Sequence, residues 1–140
     1  VADLLDGIAR HLDAQGLLTY DPEGTGGDCF LDDMPSGPNT AVAITSYQAG
    51  AEPDSLLPYD EPRIQVRVRD LDPTAARTRC RDIYSELHGL GPVDLPDGTL
   101  LILCVALQGG PTAIGKDQNG RAEYVCNFRA EHRTVSAHRG

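Results

Sequence analysis

Residues 62–91, PRIQVRVRDLDPTAARTRCRDIYSELHGLG, constrain the fold more than any other stretch of the chain. From Arg63 to Arg69 the residue types alternate strictly, with Ile64, Val66 and Val68 on one parity and Arg63, Gln65, Arg67 and Arg69 on the other. A period of two is the mark of a strand with one face buried. Asp72 then stands where a helix N-cap belongs, and Pro73 where a first helical residue has no need of its N–H. After it Ala76, Cys80, Ile83 and Leu87 recur at steps of four, three and four, which makes one helical face. Gly89 is placed to end the helix in a left-handed turn. The unit is a strand, a tight connection and a helix, and the other segments are read around it.

An amphipathic opening segment, residues 1–16, predicts a first helix with Leu4 or Leu5, Ile8 and Leu12 on its buried face. Asp6 and Arg10 form an i,i+4 pair on its outer face. The glycine-rich residues 24–27 (GTGG) lead into a short apolar strand, Cys29, Phe30 and Leu31, which ends at Asp32 and Asp33 before the turn Pro35-Ser36-Gly37-Pro38. Residues 41–47 predict a second strand, with Val42 and Ile44 on one face. Residues 48–61 lack periodicity, contain Gly50, Pro53 and Pro58, and carry Glu52, Asp54, Asp60 and Glu61, so they read as a long acidic interaction loop. Pro96-Asp97-Gly98 between apolar runs is a hairpin signal. Residues 100–107 (LLILCVAL) are apolar on both parities and predict a strand covered on both faces, one by helix and the other by a neighbouring subunit. Residues 109–120 read as a second long loop, and 123–131 as a closing strand with Tyr124, Cys126, Phe128 and Ala130 inward. The polar tail from Thr134 is expected to fray. The fold class is therefore α+β: a single domain over 1–140, a mostly antiparallel (mixed) sheet of four to five strands, two helices packed on it, and two long projecting loops.

Composition narrows the function classes. A formal net charge of −9 disfavours a protein that grips nucleic acid, whose affinity comes from neutralising phosphates. No apolar run reaches the ~18 residues of a membrane span. The opening segment, with Asp3 and Asp6, lacks the basic start and apolar core of a secretory signal. Cys29, Cys80, Cys104 and Cys126 form no C-x-x-C pair and read as reduced core thiols; His11, His88, His132 and His138 are scattered, so no zinc site is expected.

Two segments imitate known chemistry. Residues 110–117 (GPTAIGKD) nearly match the phosphate-binding loop G-x-x-x-x-G-K-[ST], but Asp117 stands at the hydroxyl position and the segment joins two strands instead of opening a helix. Asp117-Gln118-Asn119-Gly120 resembles the start of a calcium loop, yet the closing glutamate position holds Phe128. A turn with Asn-Gly at its tip is the simpler reading. No nucleophile elbow, H-E-x-x-H helix or Ser/His/Asp spacing occurs. The expectation is a non-enzyme with no catalytic residue, metal or cofactor. The row Arg63, Arg67, Arg69 is either a solvated face or an electrostatic interface. An acidic loop (Glu52, Asp54, Asp60, Glu61) and a basic strand face on one chain suit a head-to-tail contact between copies that closes a ring.

The order of these features resembles the tail terminator (minor capsid protein) family of long-tailed bacteriophages. The resemblance rests on the leading helix LLDGIARHL, on Met34-Pro35 with Pro38, and on the strand 41–47 and the loop after it. It continues through Gln65-Val66-Arg67-Val68-Arg69, the helix ending in Ile83, Leu87 and Gly89, the Pro96-Asp97-Gly98 hairpin and the closing strand 124–131. It implies a structural virion protein at the tail–neck junction, assembled in the host cytoplasm as a homo-oligomeric ring of six subunits. Such a ring caps the tail tube, ends polymerisation of the major tail protein and joins the head–tail connector (stopper) protein. DNA passes through its lumen without specific binding, and no membrane is involved. Lys116, Asp117 and Asn119 become candidates for a loop facing the tube or the connector. The competing readings are a head–tail completion protein of the neck and a small metal-dependent nucleotide hydrolase.

Overall fold

The computed structural model describes residues 3–23, 26–48, 50 and 52–140. Val1 and Ala2 of the expected first helix, Gly24 and Thr25 of the glycine-rich stretch, and Ala49 and Ala51 of the acidic loop lie outside the described residues. The elements in chain order are α1 (Leu4–Ala14), β1 (Cys29–Leu31), β2 (Ala41–Gln48), β3 (Tyr59–Asp60), β4 (Arg63–Asp70), α2 (Pro73–Leu87), β5 (Val93–Asp94), β6 (Leu100–Ala106), β7 (Thr112–Lys116) and β8 (Ala122–Arg133).

The strand and helix that anchor the sequence reading form as their residue types dictate. The Asp72 carboxylate accepts the Thr74 N–H at 3.0 Å, Pro73 opens α2, and Gly89 follows its end at φ 83°. Ala76, Cys80, Ile83 and Leu87 are fully buried against Ile64, Val66 and Val68. Full burial of a side chain the size of Ile83 or Leu87 is worth roughly 1.5–3 kcal/mol. In α1, Asp3 caps the Leu5 N–H at 3.2 Å, and Leu4, Leu5, Ile8 and Leu12 are buried. Gly7 is required by a close approach: a Cβ there would stand 2.4 Å from an Asp97 carboxylate oxygen. That carboxylate ties the β5–β6 turn together by accepting from Thr99 N and Oγ1, and it also accepts the Asp3 N–H. Arg79 reaches Asp28 at 2.7 Å and the Leu17 carbonyl at 3.1 Å, and His11 meets Glu86 at 3.0 Å, so α2 is fastened both to α1 and to the connection that follows α1.

The architecture is α+β with two helices on one face of a mixed sheet, in the order β1-β2-β4-β8-β6-β5. Only β1 and β2 run parallel. The sheet has eight strands, not four to five. The additions to the five strands read from the sequence are β3, β5 and β7, which are too short or too exposed to leave an alternating pattern. The 12-residue β8 organises them. Its residues 122–129 pair with β4 and 132–133 with β3 on one edge, and 128–132 pair with β6 and 122–125 with β7 on the other.

Two local expectations change, those for residues 109–120 and for the tail. Residues 109–120 are not one long loop: β7 and a tight turn occupy most of them. Within this chain the run 100–107 takes helix cover on one face, where Leu101 and Cys104 are buried, while Ile102, Leu103 and Val105 stay half-buried on the side away from the helices. A register shift between Leu101 and Leu103 lets this apolar run serve both faces. The tail does not fray. Ser136 bridges Arg139, and Arg139 binds Asp60 at 2.9 Å. The four cysteines are free and buried.

Candidate assembly surfaces

The arginine parity of β4 faces away from the helices, but it is not a row of bare cations. Arg67 grips Glu123 with two parallel bonds, Nε to Oε2 and Nη2 to Oε1, both at 2.7 Å. The fork geometry is the strong form of a charged pair. Arg69 is only 2% exposed, so it does not lie on a solvated face. Its guanidinium donates to the Pro35 carbonyl at 2.6 Å and to the Pro38 carbonyl, and its Nε is left without a partner. Burial draws this guanidinium below its ordinary pKa, with the nearby Arg121 adding to the effect. Arg121, 4% exposed, donates to the Ser36 carbonyl while its Nε binds Asp117 at 2.8 Å. Two buried guanidiniums thus hold residues 35–39 down on the sheet by their carbonyl oxygens. Of the expected row, only Arg63 has neither an ion pair nor a side-chain hydrogen bond among the described residues, and it lies half-buried opposite Arg129 in the register.

The acidic loop is braced from within. The Asp54 carboxylate accepts the Leu56 and Leu57 N–H groups at 2.7 and 2.8 Å, which holds it below the usual carboxylate range. Asp60 is lowered chiefly by its bond to Arg139. Arg139 also donates to the carbonyls of Asp54, Leu57 and Tyr59, and Thr134 N donates to the Pro58 carbonyl at 2.6 Å. Glu61 stands 3.6 Å from Arg129, and Glu52 is exposed without an ion pair. The braced loop presents Leu56 and Leu57 to solvent, 77% and 56% exposed.

Lys116, Asp117 and Asn119 lie at the β7–β8 turn. Asp117 is its hub: the carboxylate accepts the Arg121 and Asn119 N–H groups, each at 2.9 Å, and the Arg121 Nε. These donors, the Arg121 amide first among those lowering it, hold the acid below its usual pKa. The carboxylate is occupied by its own turn, and the phosphate-loop lookalike is largely a strand. Among the described residues no group of three or more His, Cys, Asp or Glu side chains is placed to hold a metal ion. A cleft of ≈ 700 Å³ lies between the start of α1 and the ends of β4, β6 and β8; Leu4, Leu5, Pro62, Ile64 and Leu100 give it apolar walls. His132 on its rim is held below its ordinary pKa by burial and is neutral at pH 7.

Sequence reasoning missed Glu123, Arg121 and Arg139. The first needs the β4–β8 register, which no spacing encodes. Arg121 left a trace in its i,i+4 relation to Asp117 around Asn119-Gly120. Arg139 left none.

Paired charges, braced loops and one uncovered sheet face describe a structural subunit that works by contact. The chain belongs to the bacteriophage tail terminator family: the sequence model described as "Bacteriophage tail terminator protein" matches residues 11–133. It is a structural phage tail protein, part of the virion, and its family associates with other tail and head proteins. No curated protein matches it.

Proposed function

We propose that this chain is the terminator of a long-tailed, siphovirus-type phage, and that it assembles as a ring of six on the finished tail tube. The ring ends addition of the major tail protein and offers its other face to the head–tail connector, while DNA passes through the lumen without specific binding. The single observation that carries this reading is the family match across residues 11–133. Two features of the chain support it. The apolar run of β6 leaves Ile102, Leu103 and Val105 half-buried on the face that no helix covers, which suits a neighbouring subunit. The acidic loop is held rigid by Arg139 and the tail, so docking it orders little chain. An acid-rich subunit, net −9, lines a lumen that repels the phosphate backbone and lets DNA slide. Tails assembled in cells lacking this protein are expected to be overlong or unjoined in electron micrographs. Tubes of normal length joined to heads would overturn the reading.

A further inference from the structure

We propose that β7 is a docking strand for the acidic loop, residues 52–57, of a second copy of this chain; this rests on the ring reading above. As a strand β7 is anomalous. All five of its residues are exposed, including Ile114 at 49%. Among the described residues no helix or loop covers either of its sides and its outer edge is unpaired, and its ladder to β8 is interrupted between Ala113 and Gly115. Backbone hydrogen bonds alone return little of the entropy lost in ordering a strand, and burial normally supplies the rest. Here burial is missing in the single chain.

The surroundings of β7 state the charge of what covers it. A Cβ placed on Gly110, just before β7, would lie 3.6 Å from Arg81 Nη2. Arg77 is one helical turn earlier on the same flank of α2. The register puts the start of α2 at the same end of the sheet as β7: α2 starts three residues after Asp70, and Asp70 and Lys116 pair with Ala122 from opposite edges of β8. Arg77, Arg81 and Lys116 are exposed, and none has an ion pair among the described residues. The acids of α2 lie on its other flank, where Asp82 and Glu86 face Leu17 and Glu86 meets His11. The strand is therefore an apolar edge with a basic border in an acidic protein.

The acidic loop is its complement. It offers Leu56 and Leu57 beside Glu52, on a backbone already fixed by Asp54 and Arg139. The two surfaces cannot meet within one chain, because the loop leads into β3 on one edge of β8 and β7 lies on the other. The contact runs head to tail, the geometry that closes a ring. Lys116 and the irregularity after Ala113 are also features that stop an edge from pairing with any strand it meets, so the partner must match the charge.

The test uses two full-length variants, Ile114→Asp and Leu56→Asp, each with circular dichroism and a thermal melt to confirm folding. Both sites are exposed, so the fold is expected to be unchanged. Mass is measured in solution and on terminator-free tail tubes, alone and mixed. Each variant alone is expected to stay a monomer where wild type assembles. The equimolar mixture is expected to stop at a 1:1 pair of about 30 kDa, twice the 15.0 kDa chain, because each variant keeps the surface the other lost. Either variant assembling with a midpoint within twofold of wild type overturns the docking contact and leaves the ring intact. A mixture that stays monomeric also overturns it. A wild type that assembles neither in solution nor on tubes removes the ring reading, and this inference with it.

Discussion

The Arg67–Glu123 pair makes a quantitative prediction because its two ends are unequally buried. The Arg67 side chain is 39% exposed and that of Glu123 5%. If Glu123 becomes methionine, the Arg67 guanidinium swings into water and loses little beyond a half-exposed pair, about 1 kcal/mol. If Arg67 becomes methionine, a buried carboxylate loses both fork bonds. Arg69, its register partner, is committed to the Pro35 and Pro38 carbonyls. Leaving a charge buried and unpaired costs about 3–5 kcal/mol. Arg67→Met is therefore expected to destabilise the chain by at least ~2 kcal/mol more than Glu123→Met. The double variant places two apolar side chains against each other and should return to within about 1 kcal/mol of wild type. Urea unfolding followed by far-ultraviolet circular dichroism measures all three; the chain has no tryptophan to serve as a fluorescence probe. Equal losses for the two single variants, or a larger loss for Glu123→Met, would refute the argument from unequal burial.

Asp6, Asp60 and Asp117 all titrate below the ordinary aspartate value in the folded chain, so the stability they contribute is present above about pH 4 and is lost as pH falls through their lower folded values. Acid unfolding should begin only below about pH 4, and Arg139→Ala should move its midpoint upward while exposing residues 52–57 to proteolysis; an unchanged digestion pattern would show that the tail does not brace the loop. Burial pushes the Cys29 and Cys104 thiols up to about 12, so at pH 8 a soluble disulfide reagent should label the native protein only at the rate of unfolding. A labelling rate that rises in proportion to reagent concentration, with the fold intact, would contradict that burial.

What was legible in the sequence was whatever burial had written as a period. Ile64, Val66 and Val68 at steps of two, and Cys80, Ile83 and Leu87 at helical steps, gave a strand, a helix and their shared core, and Asp72 with Pro73 marked the junction. β7 was illegible for the same reason: with every residue exposed, Thr112 to Lys116 carry no apolar rhythm, and flanking Gly110 and Asn119-Gly120 made the stretch look like loop. Alternation assigned Arg69 the right side of its strand but not its cover. Residues 35–39 fold over it, and that contact is set by two carbonyl oxygens, which no side-chain pattern reveals. The tail misled through composition, since one polar residue, Arg139, can replace many apolar contacts when four loop residues present oxygens to it.

The cations of this chain divide into two groups, and the division bears on assembly. Arg10, Arg67, Arg79, Arg121, Arg129 and Arg139 each have a carboxylate within the chain, and Arg69 has its two carbonyls. Arg63, Arg77, Arg81, Lys116 and Arg133 have none among the described residues, although acids outnumber Lys and Arg by 21 to 12. With that surplus, scarcity does not explain five unpaired cations; their positions do. Lys116, Arg77 and Arg81 border one strand, and the acids of α2 lie on its opposite flank. Exposed pairs within a chain add little stability, so holding these charges apart sacrifices little in the monomer. It keeps a directional charge difference between two edges of one subunit, which in the proposed ring would let identical subunits tell the head of a neighbour from its tail.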